Sequence, residues 1–147
     1  MRVPGSGVSG TLYLEIEEIY FPTYDWRDMT ASVLGTWIQN AMSVVHASRE
    51  VMHTFMDGSY IFGLQTDGVT GTTTLTLYEE PGSASAKFYI NFSRYMASLR
   101  GAGKIVLHQA SALSLQDRND LRDLGTWLQQ LIIFERDFKL LMHTRDS

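Results

Sequence analysis

The side chains that could do chemistry crowd towards the start of the chain. Glu15, Glu17 and Glu18 are followed at once by Phe21-Pro22-Thr23-Tyr24-Asp25-Trp26 and then Asp28. Two acids within reach of each other can share general acid and base roles. Glu15 and Glu17 on one strand face, with Asp25 and Asp28 just beyond, are the set a paired-carboxylate hydrolase would use; a solvated acidic edge is the simpler reading of them. Aromatic rings set among charges have the composition of an interface anchor. The other chemistries find less. None of the four histidines (46, 53, 108 and 143) has a second one four residues on, the spacing that puts two metal ligands on one helix face. His53 reads as a core or edge histidine with one hydrogen bond, and the others as cations near helix ends. No Gly-x-Ser-x-Gly elbow, phosphate-cradling glycine loop or dinucleotide fingerprint occurs. Asp117, Asp120 and Asp123 read as acids in the first turns of a helix. Gly63, Gly68 and Gly71 read as turn glycines with positive φ. No cofactor, metal site or catalytic residue is expected.

The elements that must position these residues follow from periodicity. Leu12, Leu14 and Ile16 alternate with Tyr13, Glu15 and Glu17, predicting a strand over 11–19 with one buried and one wet face. Pro22 ends its hydrogen-bond ladder. Asp25 or Asp28 is placed to cap a helix reaching about residue 47, whose stripe is Met29, Val33, Trp37, Ala41 and Val44. Strands are predicted over 51–56 and 59–66, joined at Asp57-Gly58, a favoured hairpin dipeptide. Two more follow over 72–79 and 87–92. From Ser93 the period becomes helical, with helices over about 94–110 and from Ser114 to about Met142; Ser114 and Asp117 form a helix start. Leu34-Gly35-Thr36-Trp37-Ile38-Gln39 nearly repeats as Leu124-Gly125-Thr126-Trp127-Leu128-Gln129 without a fixed period, so it is read as a shared packing need or a coincidence rather than as a repeat.

The predicted order is β-α-β-β-β-β-α-α: an α+β fold with a mainly antiparallel five-stranded sheet and three helices mostly on one face. Residues 1–10 read as a flexible tail and 11–147 as a single domain, since 147 residues suit one core. The absence of cysteine excludes disulfides and thiolate chemistry and tilts the expected location to the cytoplasm. Twelve basic against 16 acidic residues leave a net charge of -4. Arg27, Arg49, Lys87, Arg94, Arg100 and Lys104 are scattered singly, which disfavours nucleic acid as a partner, while the acids clustered at Glu15, Glu17, Glu18, Asp25 and Asp28 leave a basic protein partner open. No apolar run approaches the roughly 20 residues of a membrane span.

Three readings of function stay open on the residues alone. One is a protein-binding module; another is a structural or regulatory interaction domain, open to homodimerisation through a sheet edge. The third is a small-molecule pocket between sheet and helices, lined by Trp26, Trp37, Tyr60 and Trp127. A resemblance adds weight to the first. The leading strand, the Phe-Pro-x-x-x-Trp-x-Asp run from Phe21 to Asp28, Leu34-Gly35-Thr36-Trp37 and Phe55-Met56-Asp57-Gly58-Ser59-Tyr60 together resemble the bacterial immunity proteins of polymorphic or contact-dependent toxin systems and their uncharacterised relatives, over about residues 11–66. The resemblance implies a cytoplasmic, non-enzymatic toxin inhibitor that binds one cognate toxin, such as a basic nuclease-like domain, in bacterial competition. The contact residues expected on that basis and from their chemistry are Glu15, Glu17, Glu18, Tyr24, Asp25, Trp26, Asp57 and Tyr60.

Overall fold

The structure, a computed structural model, describes residues 10–56, 60–67, 72–80, 83–109 and 114–145. The order is β1 (Gly10–Thr11), β2 (Leu14–Ile16), β3 (Ile19–Phe21), β4 (Arg27–Asp28), α1 (Thr30–Val44), β5 (Val51–Thr54), β6 (Ile61–Thr66), β7 (Thr73–Glu80), β8 (Ser83–Ile90), α2 (Phe92–Gln109) and α3 (Leu115–Arg145). The fold is α+β, with antiparallel strands and three helices.

The leading segment departs from the predicted strand over 11–19. It breaks into four short strands, because Glu17-Glu18 turns the chain back and Ile16 pairs with Ile19, Glu15 with Tyr20 and Leu14 with Phe21. Gly10 and Thr11, the first of them expected in the tail, pair with Asp28 and Arg27, and the Leu12 amide donates to the Trp26 carbonyl at 2.8 Å. The segment thus satisfies its backbone groups locally and never joins the larger meander. In place of one five-stranded sheet there is a four-stranded antiparallel sheet, β5-β6-β7-β8, and two two-stranded ones. The β5–β6 register is centred on Asp57-Gly58, as a hairpin there requires, although that dipeptide lies outside the described residues. Gly68 and Gly71 lie outside them too.

α1 buries Val33, Trp37, Ala41 and Val44 of the predicted stripe, with Leu34 and Ile38 beside them, whereas Met29 precedes the helix and is exposed. Neither aspartate caps it. Met29 is the N-cap without a side-chain bond, because the Asp28 carboxylate is turned to other donors, described below. Trp37 Nε1 donates to the Thr54 carbonyl at 2.8 Å and Asn40 Nδ2 to the Met52 carbonyl at 3.2 Å, so α1 occupies acceptors along β5. α3 starts as its sequence asks, with the Asp117 amide donating to Ser114 Oγ at 3.1 Å.

Alternation sets the sheet's two faces. Phe62, Leu64, Leu75, Leu77 and Phe88 join the helices in one connected core with Trp37, Tyr95, Met96, Leu99, Leu124 and Leu131. Met52, Thr54, Gln65, Lys87 and Tyr89 face outward and are exposed. Gly63 sits mid-strand for a different reason from the expected turn: a Cβ there would collide with the Glu50 side chain, which crosses the strand to reach Tyr78. At Gly35 the Trp127 indole lies 4.0 Å from where a Cβ would be, an ordinary contact that an alanine would also allow. The glycine of one hexapeptide thus receives the tryptophan of the other. Trp37 itself is fully buried, whereas Trp127 is only half-buried.

Candidate functional site

The first hairpin and the loop after it make an exposed corner. Glu17 and Glu18 fill a two-residue turn with φ of 49° and 69°, both in the left-handed region that such hairpin turns demand and that suits Asn-Gly far better than Glu-Glu. Asp25 also has a positive φ, 60°. These residues point three carboxylates into solvent. Next to them Tyr13, Tyr20 and Tyr24 pack edge to face or tilted, with centroids 5.3–6.0 Å apart. Tyr24 is 63% exposed, Tyr20 40% and neighbouring Ile19 43%, while Tyr13, expected on the wet face, is buried under this cluster. The hairpin therefore presents apolar rings already packed against one another, within a rim of fixed negative charge. Such a surface loses little side-chain entropy when a partner covers it.

The remaining expected contact residues have other surroundings. Glu15 is half-buried in β2 opposite Tyr20. Trp26 and Tyr60 are half-buried and lie edge to face at 5.3 Å, with Trp26 also against Phe55 and Tyr60 against Phe21. Asp57 lies outside the described residues. Sequence reasoning overlooked Tyr20 and Ile19, whose exposure follows only once the turn at 17–18 puts them on the returning strand.

Asp28 explains how the corner is held. It is 7% exposed, and its carboxylate accepts from the Trp26 indole at 3.2 Å, the Met29 amide at 2.8 Å and the Met56 amide at 3.1 Å. One side chain thereby ties the corner, the start of α1 and the end of the β5 segment together. From there ring contacts continue inward: Trp26 to Phe55, Phe55 to Trp37 and Phe62, Phe62 to His53 and Tyr95, Tyr95 to Phe92, and Phe92 to Phe138 on α3. Trp26, Trp37 and Tyr60 belong to this packed chain, whereas Trp127 sits between α1 and α3. The four do not line one common pocket.

Other titratable groups are set by burial. His53 is fully buried, stacked on Phe62 at 4.7 Å, and its Nδ1 donates to the Val51 carbonyl at 3.1 Å. Burial lowers its pKa to about 4, so the ring stays neutral. Tyr95 lies 6.0 Å away with its phenol pushed well up by burial. Glu135 on α3 is pushed up by burial, opposed by Arg100, Lys139 and Lys104, and pairs with Arg100 Nη1 at 3.0 Å. On the outer sheet face the Tyr78 hydroxyl lies 2.8 Å from both oxygens of Glu50, and desolvation together with that carboxylate raises its pKa. Among the described residues no three His, Asp or Glu side chains converge to hold a metal ion, and no helix is long and apolar enough to cross a membrane.

Compared with protein-family models, curated proteins and solved structures, the chain finds no match in any of the three.

Proposed function

We propose that this chain is a cytoplasmic, non-enzymatic binding protein that neutralises a cognate bacterial protein toxin by complex formation. The observation that carries the reading is the exposed corner: Tyr20 and Tyr24, packed together and 40% and 63% exposed, beside the outward carboxylates of Glu17, Glu18 and Asp25. Large exposed aromatics supply contact area at low entropic cost, and the surrounding charge steers a basic partner and fixes its register. A net charge of -4 favours the same encounter. The resemblance over residues 11–66 to toxin-neutralising proteins supplies the biological setting.

The test is a Glu17→Lys, Glu18→Lys, Tyr24→Ala variant. A lysine in the turn is as strained as the glutamate it replaces, and Tyr24 is mostly solvated, so the melting temperature should barely move. Wild-type protein used as bait in its native host should retain one toxin-like protein that the variant loses. Co-expression of wild type, but not of the variant, should relieve that protein's toxicity. Equal retention by the folded variant would remove the corner from the interface. A captured partner with no toxicity to relieve would overturn the neutralising role.

A further inference from the structure

A second surface, on other elements, carries its own chemistry. A cleft of about 150 Å³ opens between α1 and α3. Ser32, Thr36 and Gln39 line it from α1, and Asp120, Asp123 and Trp127 from α3. The spacing explains the convergence: positions 32, 36 and 39 share one helix face, as do 120, 123 and 127. Gly35 lies in the floor, with the Trp127 indole 4.0 Å from where a Cβ would stand, an ordinary contact distance.

We infer that this cleft is a binding site for a single guanidinium group, the head of an arginine side chain. It combines an indole wall with two carboxylates, and no basic side chain lines it. Tryptophan is the ring that attracts cations most strongly. Two carboxylates a helical turn apart offer acceptors to the planar fork of donors that arginine carries and lysine lacks. Existing contacts leave that capacity in place. Asp120 accepts a hydrogen bond from Gln116 on one oxygen at 2.8 Å, and Asp123 forms an exposed ion pair with Arg122 through one oxygen at 3.8 Å, beyond hydrogen-bond length, so each carboxylate keeps an oxygen for a further donor.

The helix dipole accounts for an acid such as Asp117 in the first turn of α3, but its effect fades within that turn. Asp120 and Asp123 stand further along and face α1. What separates them from an ordinary solvated helix face is the concavity they line with Trp127. The volume admits a side-chain head rather than a larger ligand.

The probe is N-acetyl-arginine amide, titrated into the full-length ¹⁵N-labelled chain, with the three indole N–H resonances followed by NMR. Trp127→Phe identifies its signal by loss. Trp127 should shift saturably while buried Trp37 stays still. Asp120→Asn with Asp123→Asn should weaken the probe by about tenfold or more at an unchanged melting temperature. N-acetyl-citrulline amide, equal in shape but uncharged, should give no saturation. A Trp127 signal that does not saturate, citrulline amide binding as well as arginine amide, or an Asn variant that binds like wild type would each overturn the assignment. The Glu17→Lys, Glu18→Lys, Tyr24→Ala variant should titrate like wild type, so failure here and failure of the corner remain distinguishable.

Discussion

Acidification should weaken the fold through one residue, His53. In the unfolded chain its imidazole takes up a proton near the ordinary value of 6.5; in the folded chain burial delays this to about 4. Between those values the unfolded state holds more protons than the folded state, so stability must fall as the pH drops. The contribution is fully present above about pH 6.5 and is lost as the pH falls towards about 4. At about 1.4 kcal/mol for each tenfold change in proton affinity, the interval is worth about 3 kcal/mol, a sizeable part of a typical domain's stability. The structure gives the reason. The ring stacks on Phe62, with its one hydrogen bond to Val51 in the neutral form, and the nearest titratable ring is the neutral Tyr95. Urea unfolding from about pH 7.5 to about pH 4 on wild type and His53→Phe isolates the term, because other groups titrate equally in both. The wild type should show the steeper acid loss. Parallel stability curves for the two proteins would refute the reasoning.

Replacing Glu17-Glu18 by Asn-Gly should stabilise the fold by about 1 kcal/mol, since both positions have positive φ; the thermal melt should rise while partner binding falls, and an unchanged melt would show the turn is unstrained. Asp28→Ala should cost about 3 kcal/mol or more, because a buried carboxylate with three donors is removed; chemical denaturation would report it, and a loss below about 1 kcal/mol would mean the corner is held otherwise. Trp37→Ala should cost about 3–5 kcal/mol, and Trp127→Ala clearly less, since one indole is fully buried with its N–H bonded to Thr54 and the other half-buried; equal losses would contradict that ranking. Glu135→Gln should be neutral or stabilising at pH 7, because burial opposes its charge, whereas Arg100→Ala should destabilise by about 2–3 kcal/mol by leaving that carboxylate unpaired; urea melts of both variants would show it, and a destabilised Glu135→Gln would mean the ion pair outweighs its desolvation.

What was legible from residues alone was what local periodicity and caps control. The α1 stripe from Val33 to Val44, the Ser114 start of α3, the register centred on Asp57-Gly58 and the single hydrogen bond of His53 all depend on neighbours a few residues apart, where backbone geometry fixes which side chains share a face. The α+β class follows from that order of elements. Tertiary structure decided what depends on distant partners. Leu12–Ile16 has an alternating pattern that fits either a sheet strand or a hairpin arm; only the whole chain's pairing chose the hairpin, and so turned Tyr20 and Ile19 outward. Asp28 carries a helix-capping signal that competition from the Met56 amide, 28 residues away, overrode. Gly63 is glycine because Glu50 lies across it, and Trp37 and Trp127, in nearly identical hexapeptides, differ in burial because only one faces the sheet. A sequence states which residues can bury or bond within a turn of helix or a step of strand. Which of several equivalent partners they take is settled when every distant group competes for the same space and the same donors.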